Sequence, residues 1–223
     1  MPTGVIIQAR MTSSRFPKKV TAMLAGKPVL QHVIERAKQI PGIDMVIVAV
    51  PAQEVSIPIY QIANALDVYC ASGSETDVLG RYWDAASMYG LTTKHSVIMR
   101  ITSDCPLLSP LVAGEVLTML KLKDCDYASN SFPNRTYPKG LDAEAFTWES
   151  LDSAHQVATA PYDREHVTPW MQRTSGIKKT CVCQKRNDSE INWCVDYPGD
   201  IARLEEVIKA GTEIKEGQNA TKH

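Results

Sequence analysis

Basic and hydroxyl side chains are concentrated near the start of the chain. Residues 1–34 carry five Lys or Arg and no Asp or Glu, although the 223-residue chain has 24 basic and 25 acidic residues and a net charge of −1. Guanidinium, ammonium and hydroxyl groups at short spacing are the donors that hold phosphate oxygens. The segment therefore predicts a phosphate-binding loop, with a solvated basic loop as the alternative. Its donors are Arg10, Thr12, Ser13, Ser14, Arg15, Lys18 and Lys19.

Two aspartates, Asp104 and Asp196, each follow a short apolar segment and stand two positions before a proline. The second of these segments, residues 193–195, is predicted to be a short strand. Mg²⁺ prefers oxygen ligands, commonly one or two carboxylates completed by phosphates and water. Two carboxylates from distant segments that meet over a triphosphate would supply them. The alternative is that Asp104 caps the turn before Pro106 and that Asp196 caps a helix after Pro198.

The composition argues against several classes of protein. A net charge of −1 does not favour nucleic-acid binding, and no apolar run reaches the ~18 residues of a membrane span. The first residues lack the features of a secretory signal, so we expect a cytoplasmic protein with no membrane partner. Its six cysteines are then expected to be reduced thiols. Cys181 and Cys183 form a lone C-x-C pattern, which is weak as a zinc site.

Apolar runs typical of buried strands alternate with segments of helical spacing over residues 1–126. This alternation predicts an α/β fold of three layers, with a mainly parallel sheet between helices. Ligands of such sheets bind beyond the carboxyl ends of the strands, which is where the basic loop and Asp104 fall. Strands are predicted at 4–9, 45–50, 68–70, 96–101, 143–147 and 177–184. Helices are predicted at 28–40, 59–66, 77–90, 111–122 and 201–209, with two more between 147 and 177.

Several motifs in order along the chain resemble the cytidylyltransferase family, which includes the enzymes that activate sialic acid and 3-deoxy-manno-octulosonate with CTP. The opening motif is Ile6-Ile-Gln-Ala-Arg-Met-Thr-Ser-Ser-Arg-Phe-Pro-Lys-Lys19, and Arg100-Ile-Thr-Ser-Asp-Cys-Pro-Leu107 is the second specific one. Further matches lie at 26–36, 73–82, 137–142, 162–169 and 193–200. Within the family, the chain is most similar to the branch named for the spore coat polysaccharide biosynthesis protein SpsF.

The resemblance implies a Rossmann-like fold of the nucleotide-diphospho-sugar transferase (GT-A-like) type. It also implies one nucleotidyltransferase domain over residues 1–223. Within that domain we expect a nucleotide-binding part at 1–126, an acceptor and dimerisation part at 127–216, and a disordered tail at 217–223. The family activity would be the transfer of CMP from CTP to an anionic sugar acid or phosphonate with release of pyrophosphate, for a surface polysaccharide. We expect CTP and a small anionic acceptor as ligands, Mg²⁺ as cofactor, and a homodimer.

The matching positions give each candidate residue a role. The catalytic candidates are Arg10, Arg15, Lys19 and Asp104, and the metal ligands are Asp104 and Asp196. The nucleotide-binding candidates are Gln8, Ala9, Arg10, Ser13, Ser14, Arg15, Lys19, Arg81 and Asp104. The loop at 135–142 combines cations, an aromatic ring and an acid, which suits an anionic acceptor. With a helix predicted to begin at Arg164, the acceptor-binding candidates are Arg135, Tyr137, Lys139, Gly140, Asp142, Arg164 and His166.

Three positions depart from the family pattern and leave nucleotide affinity and acceptor choice open. Lys18 replaces a glycine, Ser72 replaces an arginine, and Gly80 replaces an aspartate. One alternative function is a GT-A-type glycosyltransferase or another nucleotide-sugar pyrophosphorylase, although the D-x-D metal motif of a glycosyltransferase is not present around Asp104. The other alternative is a non-catalytic nucleotide-binding protein with a decayed site, for which Ser72 and Lys18 are the motivation.

Overall fold

The computed structural model describes residues 2–210, so the predicted tail at 217–223 and the end of the predicted acceptor part at 211–216 lie outside the described residues. Within 2–210 the strands are β1 (Thr3–Gln8), β2 (Met23–Leu24), β3 (Lys27–Pro28), β4 (Met45–Pro51), β5 (Tyr69–Gly73), β6 (Val97–Thr102), β7 (Tyr127–Ser129), β8 (Glu144–Thr147) and β9 (Lys179–Cys181). The helices are α1 (Val29–Ala37), α2 (Ile57–Ala65), α3 (Val78–Met88), α4 (Pro110–Leu122), α5 (Trp148–Val157), α6 (Pro161–His166), α7 (Pro169–Arg173) and α8 (Gly199–Lys209).

Seven strands form one sheet in the order β5-β4-β1-β6-β8-β7-β9, and β2 pairs with β3 in a separate small hairpin. The first four strands of this order are parallel, β8 is antiparallel to both β6 and β7, and β9 runs parallel to β7. The predicted mainly parallel α/β sheet is therefore confirmed. In the described part of the chain, no helix is long and apolar enough to cross a membrane.

The two faces of the sheet are both buried, which gives the three layers. Successive side chains of a strand point to opposite faces. In β1, Val5 and Ile7 join a core with α1 and α4, whereas Ile6 joins a second core with α3 and α5. All three side chains are fully buried. A strand covered on both faces must be apolar throughout, and this explains why β1 and β4 carry uninterrupted apolar runs.

Three predictions for the later part of the chain are wrong. Three helices, not two, lie between β8 and β9, because the backbone of Val167 adopts a φ of 71° and separates α6 from α7. Arg164 therefore lies near the end of a helix rather than at its beginning. Residues 193–195 are an extended segment outside any strand. This segment is nevertheless fixed, since Trp193 N–H donates to the Lys139 carbonyl at 2.8 Å and Val195 N–H donates to the Asp104 carbonyl at 2.9 Å.

The register of the central strands sets the position of the site. Strands β1 and β6 are parallel neighbours, with Gln8 opposite Thr102. The residues that follow them therefore leave the sheet at the same edge, and Ser103 N–H still donates to the Gln8 carbonyl at 3.3 Å. The basic loop after β1 and Asp104 after β6 are brought together by this register alone.

Candidate active site

The basic loop after β1 folds back over the carboxyl edge of the sheet. Met11, 5% exposed, anchors it in the core, and the Lys18 N–H donates to the Met11 carbonyl at 2.9 Å to close the loop. A short 3₁₀ turn at Lys19–Thr21 follows. The closure turns the Lys19 side chain inward, where only 13% of it is exposed. Lys19 is thus enclosed by the fold, whereas Arg10, Arg15 and Lys18 remain exposed to solvent.

Lys19 contacts both predicted metal-binding aspartates. Its Nζ atom donates to Asp104 Oδ2 at 2.7 Å and to the Val195 carbonyl at 3.0 Å, and it lies 3.6 Å from Asp196 Oδ1. Arg15 donates from Nη2 to the same Asp196 Oδ1 at 2.7 Å. The two carboxylates therefore face one ammonium group, although 92 positions (196 − 104) separate them in the sequence.

Neither aspartate serves as a helix cap. The N-cap of α4 is Ser109, whose hydroxyl accepts from the Val112 N–H, and the N-cap of α8 is Pro198. The turn that carries Asp196 is instead held by Asp200, which accepts from the backbone N–H of both Asp196 and Tyr197 at 2.8 Å. The capping alternative is therefore wrong for Asp196, and for Asp104 the structure excludes only the cap of α4.

A cleft of about 210 Å³ lies between the basic loop and the ends of β1 and β6. Every residue predicted to bind the nucleotide lines it, namely Gln8, Ala9, Arg10, Ser13, Ser14, Arg15, Lys19, Arg81 and Asp104. Glu165 and His166 of α6 form part of the same wall. The cleft thus combines donors for phosphate oxygens with a carboxylate at one end, which is an arrangement suited to a polyphosphate and a cation.

Arg81 is the most deeply buried charge in this wall, with 2% of the residue exposed. Its Nη1 donates to the Ser74 carbonyl at 2.9 Å, but its Nε–H is buried without a hydrogen-bond partner in the described structure. Burial lowers the pKa of Arg81, and the nearby Arg10 lowers it further. A buried donor of this kind costs free energy until it is satisfied, so the site suits an anionic or carbonyl group of a ligand.

A second cavity of about 210 Å³ adjoins the cleft, and Thr102 and His166 line both. At its floor, Glu144 accepts hydrogen bonds from Arg100 at 2.6 Å, from Thr168 at 2.8 Å and from Gln172 at 3.1 Å. Burial alone would lower the pKa of Arg100, but the attraction of Glu144 raises it above the ordinary value. Arg100 also donates from Nε to the Gln8 side chain at 3.2 Å, which links the two cavities.

Sequence reasoning missed most residues of the second cavity. Arg100, Glu144, Tyr162, Thr168 and Gln172 line it but were not among the candidates. One signal was available, since Arg100 is a charged residue inside the apolar strand β6, and burying an unpaired charge costs free energy. The other members come from three separate elements, and no spacing in the sequence brings them together.

The predicted acceptor residues divide between this cavity and other places. Asp142 and His166 line the second cavity, and Arg135 pairs with Asp142 through Nη2 and Oδ2 at 2.9 Å. Tyr137 lies in the hydrophobic core with its hydroxyl 3.3 Å from Glu115. We therefore do not retain Tyr137 as an acceptor-binding residue.

Lys139 and Gly140 hold the Asp196 segment through their backbone. Besides accepting from Trp193, Lys139 donates its N–H to the Ile191 carbonyl at 2.9 Å, and its side chain is exposed. Gly140 has a φ of +98°, and a Cβ atom there would lie 2.8 Å from the Trp193 carbonyl carbon. Only glycine fits such a close approach. Any contact of Lys139 with an acceptor stays a prediction.

Arg164 fixes α6 against the start of α3. Its guanidinium pairs with Asp77 and donates to the His155 carbonyl at 2.9 Å. These partners leave it outside the residues that line either cavity. Arg164 thus positions α6, and with it His166, and we do not retain it as an acceptor-binding residue.

The three departures from the family pattern have different local settings. Lys18 adopts a left-handed backbone with a φ of 62°, a conformation that glycine adopts without strain. A Cβ atom at Gly80 would meet the Asp77 carboxylate, which caps α3 by accepting from the Gly80 N–H at 2.8 Å. An aspartate at position 80 is therefore incompatible with this cap. Ser72 is exposed on β5, and nothing in the structure explains its replacement of an arginine.

Comparisons with known proteins agree with this architecture. The family described as Cytidylyltransferase matches residues 4–219. The uncharacterized protein MJ1063 of Methanocaldococcus jannaschii is 34% identical over 174 residues, which cover 78% of this chain and 68% of that protein. The 3-deoxy-manno-octulosonate cytidylyltransferase of Nitratiruptor sp. is 33% identical over 126 residues, which cover 55% of this chain and half of that enzyme's length (50%).

A solved structure extends the agreement to the whole fold. The structure described as a cytidylyltransferase from Leptospira borgpetersenii is 27% identical and superposes with a TM-score of 0.84, covering 100% of both chains. The Rossmann-like fold that the motifs implied is thus confirmed. Because the family match spans nearly all of the sequence, the chain belongs to the cytidylyltransferase family, a family of nucleotidyltransferases.

Proposed function

We propose that this protein transfers CMP from CTP to a small anionic sugar acid, or to a phosphonate, and releases pyrophosphate. One observation carries the proposal. The ammonium group of Lys19 contacts Asp104 and lies 3.6 Å from Asp196, directly beside the guanidinium-bearing loop. Donors suited to phosphate oxygens and carboxylates suited to a cation therefore surround one ammonium group, which supports nucleotidyl transfer.

The residues of the cleft divide the work of binding CTP. Arg10, Arg15 and Lys19 would hold the β- and γ-phosphates, because guanidinium and ammonium groups neutralise the charge that pyrophosphate carries away. The backbone of Gln8 and Ala9, at the end of β1, would face the edge of the base. The free Nε–H of Arg81 is available for a further oxygen of the nucleotide.

Asp104 and Asp196 would hold Mg²⁺. The fit rests on the donor set, since both residues supply hard carboxylate oxygens and both already attract one cationic group, Lys19. Phosphate oxygens and water would supply the further oxygen ligands that Mg²⁺ prefers. When bound, the ion would neutralise charge on the phosphates and lower the pKa of an attacking hydroxyl. The chain's own contribution is to hold both carboxylates beside the ammonium group of Lys19.

The second cavity would receive the acceptor. Arg100, paired with Glu144, brings a guanidinium group to this cavity, His166 brings ring nitrogens, and Asp142 supplies a group that accepts from sugar hydroxyls. His166 and Thr102 line both cavities, so an acceptor hydroxyl in this position would lie next to the α-phosphorus of CTP. Attack there displaces pyrophosphate, and the hydroxyl proton can pass to water.

The wider setting forms part of the same proposal and is supported by the motifs alone. It comprises a place in the SpsF-like branch, a role in building a surface polysaccharide, a cytoplasmic location, a homodimer and the division of the domain into a nucleotide part and an acceptor part.

Pyrophosphate release tests the proposed reaction. The protein is incubated with Mg²⁺, one nucleoside triphosphate and one of several sugar acids, among them 3-deoxy-manno-octulosonate, with UTP, GTP and ATP as matched controls. We expect release that needs CTP, Mg²⁺ and an acceptor together. Sugar transfer from a nucleotide sugar would support a glycosyltransferase instead. Binding of CTP without turnover on any acceptor would support a decayed site.

A further inference from the structure

Two cysteines outside the active site lie unusually close together. The Sγ atoms of Cys181 and Cys183 are 3.0 Å apart. Cys181 ends β9, which is an edge strand of the sheet, and Val182 between the two cysteines points into the core. Because alternate side chains of an extended chain share a face, both thiols project to the outer side. Cys183 is exposed and Cys181 is partly exposed.

The geometry of this pair is compatible with a covalent bond. In an extended chain, residues two positions apart have Cα atoms separated by about 6.6 Å, and disulfides span Cα separations of up to about 6.8 Å. A bridge here would lie near the upper limit, and such bridges are readily reduced. Within residues 2–210 no cluster of three or more His, Cys, Asp or Glu side chains is arranged to hold a metal ion, so a multidentate metal centre does not explain the pair.

Both thiols share one partner in the neighbouring loop. Cys181 and Cys183 donate to the carbonyl of Asn134, with sulfur–oxygen distances of 3.6 and 3.7 Å. Asn134 precedes Arg135, which pairs with Asp142 at the second cavity. A change at the two sulfur atoms therefore acts on the segment that carries Arg135.

We propose that Cys181 and Cys183 form a reversible, peroxide-sensitive disulfide that controls the order of the loop at residues 131–137. The proposal does not depend on the reaction that the protein catalyses. Its observations are the short sulfur–sulfur distance, the exposure of the pair and the shared carbonyl of Asn134.

The chemistry balances with a hydroperoxide as oxidant. The thiolate of Cys183, the more exposed sulfur, attacks one oxygen of hydrogen peroxide, and the O–O bond breaks to give a sulfenic acid and hydroxide, which takes a proton to become water. The Cys181 thiol then loses its proton and attacks the sulfur of Cys183, and hydroxide leaves as the S–O bond breaks and takes up that proton as water. The two thiols lose two electrons and two protons, and the peroxide is reduced to two molecules of water. A dithiol reductant reverses the bridge by exchange.

The bridge removes both S–H donors from the Asn134 carbonyl. The loop keeps its other ties to the chain after β9, since the Gln184 N–H donates to Thr136 Oγ1 at 2.9 Å. We therefore expect looser packing around Asn134 and Arg135 rather than unfolding.

Peptide mapping of the full-length protein tests the bridge directly. Trypsin cuts after Lys179 and Lys185, so both cysteines fall in one peptide, Thr180-Cys-Val-Cys-Gln-Lys185. After treatment with hydrogen peroxide and alkylation, we expect this peptide unalkylated and lighter than the dithiol form by two hydrogen atoms. Dithiothreitol should restore the alkylatable form. C183S should abolish the light species, and C125S, which removes a buried cysteine elsewhere, should leave it unchanged.

Two other mapping results would overturn the proposal. Cys183 could gain two oxygen atoms as a sulfinic acid while Cys181 stays alkylatable, which would show that no bridge forms. Alternatively, peroxide could produce a cross-linked pair of peptides containing Cys105 and Cys194, whose sulfur atoms lie 3.9 Å apart, while Cys181 and Cys183 both stay alkylatable. In the oxidised wild type, amide hydrogen exchange at residues 131–137 should be severalfold faster than in the reduced form. Unchanged amide hydrogen exchange at residues 131–137 would show that the disulfide does not control the order of this loop.

Discussion

The Nζ atom of Lys19 lies 2.7 Å from Oδ2 of Asp104, although 85 positions separate the two residues in sequence. Burial alone would raise the pKa of the Asp104 carboxyl, but the attraction of Lys19 and its hydrogen bond hold that pKa below the ordinary value. Asp104 therefore stays ionised at neutral pH in spite of its enclosed position. An anionic oxygen at the floor of this cleft is the kind of group that a divalent cation prefers.

Replacing this carboxylate should remove activity without unfolding the protein. We expect D104N to lower the rate of pyrophosphate release from CTP by at least about 100-fold, because the neutral amide binds Mg²⁺ poorly. The amide has nearly the same shape, and 26% of the Asp104 side chain is exposed, so the variant should stay folded, with an unfolding midpoint modestly below that of the wild type. The measurement is a coupled pyrophosphate assay alongside thermal unfolding.

D67N provides a matched control for this substitution. Asp67 is exposed and has a φ of 51°, a left-handed conformation that asparagine tolerates. D67N should therefore keep both the rate and the stability of the wild type. A D104N protein that releases pyrophosphate at close to the wild-type rate would rule out Asp104 as a metal ligand.

The ionisation of Asp104 should also appear in the pH dependence of stability. Its folded pKa is lowered, below an unfolded value of about 3.9, so the folded state binds this proton less tightly than the unfolded state. Its contribution is then fully present above the unfolded pKa and is lost as the pH falls through the folded pKa. Urea unfolding of wild type and D104N should show a stability difference that favours wild type and is constant from about pH 5 to 7. The difference should shrink toward pH 3, and a difference that grows on acidification would contradict the assignment.

The central part of the fold could be predicted because its signals are local. The apolar runs of β1, β4 and β6 and the helical spacing of α1, α3 and α4 each need only neighbouring residues to be interpreted. The β2–β3 hairpin and β7 were missed, since strands of two or three residues are too short to show a period. The break at Val167 was missed for another reason, because a positive φ at a β-branched residue is rare.

The predicted nucleotide-binding residues were easier to place from the sequence than the predicted acceptor-binding residues. The basic loop and Asp104 each follow a strand directly, and parallel strands must present their carboxyl ends at one edge. The acceptor side depends on tertiary contacts instead. Arg164 is bound to Asp77 from a distant helix, and Tyr137 is buried beside Glu115. Neither position could be inferred from the residues around it.

The strained backbone at Lys18 offers a stabilising substitution. A non-glycine residue in the left-handed region destabilises the folded state by about 1–2 kcal/mol. Glycine relieves this strain, but it also raises the conformational entropy of the unfolded chain, which offsets part of the gain in stability. We expect K18G to raise the free energy of unfolding by about 0.5–1 kcal/mol. Chemical denaturation measures this. As a control, K38G replaces a residue with an ordinary φ of −62° and should lower the free energy of unfolding by about 0.5–1 kcal/mol. Equal losses in both variants would mean that Lys18 carries no backbone strain.

The ion pair between Asp163 and Arg173 should respond differently to removal of each partner. Only 1% of the Asp163 side chain is exposed, compared with 54% for Arg173. R173M leaves an enclosed carboxylate without its partner and should lower the free energy of unfolding more than D163N does, because D163N frees an arginine that can turn to water. Unfolding free energies of both variants at pH 7 measure the asymmetry. A larger loss in D163N would contradict it.

Arg81 should be essential for tight binding of CTP. Its Nε–H is buried without a partner, and lysine at this position has neither the second donor nor the planar group needed to keep the bond to Ser74 while reaching a ligand. We expect R81K to raise the dissociation constant of CTP about 10- to 100-fold, the equivalent of one hydrogen bond to a charged group. Isothermal titration calorimetry measures the affinity, and unfolding of the ligand-free variant separates lost binding from lost folding.

R186K provides the matched control. The Arg186 side chain is 81% exposed, so this variant should bind CTP as the wild type does. If R81K bound CTP as tightly as the wild type while remaining folded, the unpartnered Nε–H of Arg81 would have no part in binding CTP.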